Sequence, residues 1–107
     1  MSEARSPGFR VLGLLGMALR AGALIKGVDG VRQALRGGDV KLVILARDGS
    51  EVQKRKVASL ADARGVPLRS LGSAHDLGAA LGSASLTAVG VTRSEFAEEI
   101  QKHLGGE

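Results

Sequence analysis

Residues 40–46 read V-K-L-V-I-L-A and carry the strongest strand signal in the chain. Apart from Lys41 the run is apolar throughout, so it lacks the alternation of a strand with one wet face. A strand of that kind needs cover on both sides, which predicts a central position in an α/β sheet. Downstream, Ser50-Glu51-Val52-Gln53 forms a capping box, in which the Ser hydroxyl accepts an amide proton and the Gln reaches back. The helix it opens runs to Arg64 and is stopped by Gly65 and Pro67. Residues 66–71 predict the next strand. Ser73-Ala74-His75-Asp76 starts a short helix ending at Gly82, and residues 86–91 predict the last strand. Thr92-Arg93-Ser94-Glu95 then caps a final helix that carries Phe96, Ile100 and Leu104 on one face and ends at Gly105-Gly106. Strand–helix alternation from Val40 onward predicts parallel neighbours with helices on both faces of the sheet.

Upstream, residues 1–7 predict a flexible polar tail and residues 8–21 a first helix, with Phe9, Leu12, Leu15 and Leu19 on its buried side. The uncharged run 11–19, followed by Ala21-Gly22-Ala23, imitates a signal peptide. Nine residues are too few to span a bilayer and Arg20 interrupts the run, so a buried helix is expected instead. Residues 23–26 predict a short strand and residues 27–36 a second helix ending at Gly37-Gly38. The chain of 107 residues thus reads as one domain, residues 8–107, of the α/β class.

Composition narrows the function. With no cysteine there are no disulfides, thiolate metal sites or cysteine nucleophiles, which suits the cytoplasm. Residues 1–70 hold 13 Lys/Arg against 6 Asp/Glu, a local +7; residues 71–107 hold 2 against 5, a local −3; together they give the net +4. A chain so polarised, with an isoelectric point near 10.1, presents a positive face to polyanions. The 16 glycines form neither G-x-G-x-x-G nor a phosphate-binding G-x-x-x-x-G-K-[ST] loop. His75 and His103 fall on separate predicted helices without further ligands at metal spacing. Asp48 follows the central strand, where open sheets place ligands, but no second catalytic group accompanies it. An enzyme, a cofactor, a metal and a small-molecule substrate are therefore not expected. The two aromatics, Phe9 and Phe96, both lie at apolar helical positions, which leaves no platform for stacking single-stranded bases.

The segment 26–36, K-G-V-D-G-V-R-Q-A-L-R, is where elements suited to a folded nucleic acid meet. Val28, Val31 and Leu35 form an inward stripe; Asp29, Arg32, Gln33 and Arg36 are expected exposed on the other side. The helix N-terminus offers unpaired amides and the positive end of a dipole, and Gly27 and Gly30 allow close approach of a backbone. Lys26, Arg32 and Arg36 supply charge for phosphates. A simpler reading makes this a solvated helix with Asp29 as its N-cap.

The order of these landmarks resembles the ribosomal protein L-seven-Ae/L-thirty-e family of kink-turn RNA-binding proteins, and most of all its bacterial YlxQ-type branch. The residues that carry the likeness are L-L-G-M-A-L-R-A-G at 14–22, Gly27 at the second helix, K-L-V-I-L-A-R-D at 41–48, Val66-Pro67, and Ser73, Leu77, Gly78 and Gly82. The resemblance implies a three-layer α/β/α sandwich around a four-stranded mixed sheet. It implies that the second helix enters the widened groove of a kinked RNA, with Lys26, Gly27, Val28, Asp29, Gly30, Arg32, Gln33 and Arg36 as the contact set, and that Ser83-Ala84-Ser85 forms a second contact loop. In the family's Gly-x-Asn-Glu-x-x-Lys motif this chain keeps Gly27 but has Asp29, Gly30 and Gln33 at the Asn, Glu and Lys positions. An ionised Asp only accepts hydrogen bonds, where Asn also donates. The expected partners are structured RNA, ribosomal RNA among the candidates, and ribosome-associated proteins, with no membrane. An alternative is an adaptor of the same fold that docks protein through the acidic last helix (Glu95, Glu98, Glu99).

Overall fold

A computed structural model of the chain describes residues 7–105. At its centre lies a strand whose four residues, Leu42 to Leu45, are all buried, as the unbroken apolar run requires. The elements follow in the order α1 (Pro7–Arg20), β1 (Leu24–Lys26), α2 (Val28–Arg36), β2 (Leu42–Leu45), α3 (Glu51–Ala63), β3 (Leu68–Ser70), α4 (Ala74–Ala80), β4 (Ala88–Val91) and α5 (Ser94–Gly105). Each expected helix and strand is present, the strands one to three residues shorter than expected. Residues 1–6 of the expected tail lie outside the described residues, whereas Pro7 already opens α1; a proline's missing N–H is no loss in a first helical turn.

The four strands form one mixed sheet in the order β1-β4-β2-β3. Side chains alternate across β2. Leu42 and Ile44 join Val89 and Val91 of β4 in a core closed by Val11 and Leu15 of α1, Leu77 of α4 and Ile100 of α5. Val43 and Leu45 point to the other side, where Val31 and Leu35 of α2 and Val57 and Ala61 of α3 cover them. Three layers result: α1, α4 and α5, then the sheet, then α2 and α3.

The mixed sheet is the one that the family resemblance implies, whereas the expectation of parallel neighbours from strand–helix alternation fails at β4. β2 and β3 are parallel, but β4 runs antiparallel to β2. A parallel return needs a crossover that carries the chain back along the whole sheet. α4 has only seven residues, and the segment after it doubles back, so that the Leu86 amide donates to the Ala74 carbonyl at 3.0 Å. The chain therefore enters β4 from the end at which it left β3. Gly78 permits this reversal: a Cβ there would collide with the backbone carbonyl of Ala84, and the Ser83 amide donates to Gly78 O at 2.8 Å.

Two local readings also change. Phe9 is half exposed (53%), because the buried stripe of α1 is Val11, Leu15 and Ala18, and Phe9 lies about 200° around the helix from Val11. The Thr92 amide is taken by Ala23 O at 2.9 Å, and the Glu95 carboxylate accepts from the Arg93 guanidinium at 2.7 Å instead of closing a capping box.

Gly78→Ala forces the backbone at residues 83–84 outward. We expect a loss of about 2–3 kcal/mol, as for overpacked cores, and a melting temperature lower by on the order of 10 °C for a domain of this size. Thermal unfolding followed by circular dichroism measures it; an unchanged melting temperature would contradict the close approach.

Candidate functional site

β1 and β2 each run antiparallel to β4, and β3 runs parallel to β2, so β1, β2 and β3 all point the same way. Their carboxyl ends lead into α2, α3 and α4. The N-termini of these three helices consequently gather at one end of the sheet, together with the segment 81–87 that enters β4 there. Open α/β sheets hold their ligands in this position, and each helix start contributes a positive dipole end.

The three helix starts are not equivalent. Ser50 Oγ accepts the Gln53 amide at 3.3 Å and so caps α3. Ser73 Oγ accepts the Asp76 amide at 3.0 Å, and Asp48 Oδ1 accepts the Ala74 amide at 2.8 Å, so α4 is closed twice. Asp48 is thus a tie between the β2–α3 turn and α4, not a member of a reactive pair. The start of α2 has no side-chain cap: its N-cap is Gly27, at φ 94° and ψ 154°. This corrects the reading of Asp29 as the cap; Asp29 lies one residue inside the helix. The Gly27 amide itself donates to Ala88 O at 2.9 Å, and the Val31 amide is the first to bond back into the helix, to Gly27 O at 3.0 Å. The amides of Val28, Asp29 and Gly30 precede the first intrahelical bond and point along the axis toward the sheet end. Nothing lies within 4 Å of where a Gly27 Cβ would stand.

A depression of about 250 Å³ opens at this helix start, lined by Gly27, Val28 and Asp29 and by Gln53, Ser85, Leu86 and Thr87. Gln53, Leu86 and Thr87 were not legible as site residues. Gln53 reads in sequence as a capping side chain, and only the side-by-side packing of α2 and α3 brings it here. Ser85 belongs to the loop that the resemblance singled out. Lys26 holds that loop in place, its Nζ donating to Ser83 Oγ at 2.7 Å and lying 3.5 Å from Leu81 O. Lys26 thereby acts first as a clasp between the end of β1 and that loop.

Of the remaining expected contact residues, Asp29, Gln33 and Arg36 are exposed, and Val28 packs against the core as the inward stripe requires. Arg32 is a correction. It is half buried, and its Nε is inaccessible and has no hydrogen-bond partner among the described residues. The reason is rotational: Arg32 lies about 40° around the helix from Val28, on the side away from Leu35, and so on the edge of the buried stripe. Gly30 has ordinary helical backbone, and a Cβ there would meet Ile25 Cγ2 at 3.0 Å, so its smallness seats α2 against β1. His75 is exposed on α4, and His103 Nε2 lies 3.5 Å from a Glu99 carboxylate oxygen on α5. No cluster of three metal-ligating side chains occurs among the described residues, and no described helix is long and apolar enough to cross a membrane.

Residues 10–101 match the Ribosomal protein L7Ae/L30e/S12e/Gadd45 family. The chain belongs to this family. Among its relatives, the RNA-binding protein YlxQ of Bacillus subtilis (strain 168) is 33% identical over 87 residues, which are 81% of this chain and 87% of that protein. A protein of unknown function from Bacillus halodurans C superposes with a TM-score of 0.85 at 30% identity, over 90% of this chain and 97% of its own. The Giardia lamblia 15.5kD RNA binding protein shares the fold at a TM-score of 0.76 and 18% identity, over 94% and 86% of the two chains. Family membership accounts for the mixed sheet, and so for the direction of β4 that strand–helix alternation alone misassigned.

Gly27 occupies backbone space that side chains rarely enter. Gly27→Ala should lower stability by about 1–3 kcal/mol, although the added methyl meets no neighbour. Denaturant unfolding measures this; a neutral result would show that the helix start relaxes to a conformation open to any residue.

Proposed function

We propose that this protein is an RNA-binding protein that grips a structured, kink-turn-like RNA with the start of α2. One observation carries the reading: α2 alone of the three helices at the sheet end lacks a side-chain cap, and it opens onto a depression walled by the loop that Lys26 secures. Free amides at a helix start bind phosphate or base acceptors. Gly27 admits a nucleic-acid backbone closely because no side chain stands there. Asp29 and Gln33 are the groups placed to meet base edges, and Arg36, one turn further along, is placed to meet a phosphate. Membership in the family, and a relative named as RNA-binding, support the same reading.

Phosphate contacts dominate in this proposal. Asp29 brings an acceptor where the family motif has a side chain that also donates, and Gln33 brings no charge. The protein then works as a binding module in a cytoplasmic ribonucleoprotein, with ribosomal RNA a candidate target, and not as an enzyme.

Binding should weaken with salt, because cationic side chains displace condensed counterions: with roughly three to five phosphate contacts, log K falls with log salt at about 0.7–0.9 per contact. Arg36→Glu should weaken binding of a kink-turn RNA by more than fivefold, while Lys102→Glu, on the far helix α5, should change it by less than twofold. Fluorescence anisotropy at several salt concentrations measures both, and equal losses would reduce the site to overall charge.

Specificity is testable separately. Asp29→Asn combined with Gln33→Lys, with Gly30 left alone because Ile25 crowds it, should raise kink-turn affinity by about tenfold, within the range of one good base-edge contact. The comparison RNA lacks the G·A pairs. A natural protein that already separates the two RNAs by a hundredfold would show that Asp29 and Gln33 read bases well. Binding of neither RNA by either protein would favour the adaptor role.

A further inference from the structure

We infer that the seam between α2 and α3 is a second phosphate-binding track, which carries a stem of the bound RNA away from the α2 start toward the opposite end of the molecule. The inference rests on the RNA-binding reading above. Both helices begin at the same sheet end and pack side by side. Asp29 and Gln53 line one depression, so these residues mark the facing edges of the two helices. From Asp29, the same edge of α2 continues at i+3 and i+7 through Arg32 and Arg36; from Gln53, the edge of α3 continues through Lys56, Leu60 and Arg64. At the far end a second depression of about 340 Å³ is lined by Leu35 of α2 together with Lys41, Arg64 and Pro67. The seam therefore joins two openings over the length of α2, about 14 Å at 1.5 Å per residue.

Its charge is one-sided. Arg32, Arg36, Lys41, Lys56 and Arg64 border it, against two carboxylates, Asp29 at the head and Asp39 beside Gly37 at the far end. Among the described residues, the ion pairs engage other cations: Lys54 with Glu51, Arg93 with Glu95, Lys102 with Glu99. The five seam cations have no acidic partner among the described residues, and Arg32 Nε is buried without an acceptor. Aligned, unpaired cations repel one another, and a polyanion laid along them relieves that repulsion. Leu60 between Lys56 and Arg64 has no aromatic companion, so the track offers charge without stacking. That suits the regularly spaced phosphates of a duplex stem better than unpaired bases.

The test uses the full chain and two RNAs: a kink-turn trimmed to three base pairs on either side, and the same kink-turn with ten-base-pair stems. The natural protein should bind the long-stem RNA at least tenfold more tightly. The exposed trio Lys41→Gln, Lys56→Gln and Arg64→Gln should cut that advantage below threefold and leave the trimmed RNA within twofold. On the long RNA the salt slope should fall by about 2.1–2.7 units, from three contacts at about 0.7–0.9 each. No long-stem advantage in the natural protein, an advantage that survives the three substitutions, or equal losses on both RNAs would each overturn the track while leaving the α2 site standing. Failure to bind either RNA overturns both. In that case, binding of polyglutamate that depends on Lys56 would assign the seam to acidic protein.

Discussion

The backbone of residues 83–84 lies against Gly78, and the rest of the functional end depends on that contact. It folds the chain back beside α4, so β4 enters the sheet from the end where β3 left it and pairs antiparallel with both β1 and β2. The three other strands then point together. Their following helices begin at one place, and the returning segment 81–87 forms a wall there. Had α4 been long enough to cross the sheet, β4 would have been parallel and this wall would have stood at the other end.

What makes the end selective is how its hydrogen-bonding capacity is spent. Ser50 takes one amide at the start of α3, and Ser73 and Asp48 take one each at the start of α4. Lys54, donating to Arg47 O at 2.7 Å, fastens the turn between β2 and α3. Gly27 has no side chain with which to do the same for α2. An uncapped helix start beside two capped ones is a directional feature, and the cations along α2 and α3 extend it across the outer layer.

Much of this was legible in the sequence because it follows from local rules. The unbroken run at Val40 announces a doubly covered strand, and Ser50 and Ser73 announce helix starts that the structure confirms. Lys26 to Arg36 could be picked out because charge, glycine and a helix start coincide within eleven residues. Three features were not legible. Gln53 looks like a cap because its partners on α2 are more than twenty residues away in sequence. Arg32 looks exposed because a helical wheel cannot place the edge of a buried stripe until a neighbouring helix is set beside it. Phe9 looks buried because several apolar stripes can be drawn on α1, and only the packing of Val11 and Leu15 selects one.

The sequence by itself determined the element order, the α/β class, the basic first two-thirds of the chain and the open glycine at the start of α2. Each depends on residues close together along the chain: hydrophobic period, caps, turns and charge. Local pattern left the direction of β4 undecided, and tertiary structure alone decided which strand turns back, the meeting of Gln53 and Ser85 with Gly27, the clasp of Lys26 on Ser83, and the facing cationic edges of α2 and α3. Those depend on which end of the sheet a returning chain reaches, and here a missing Cβ at Gly78 and a seven-residue helix settle it.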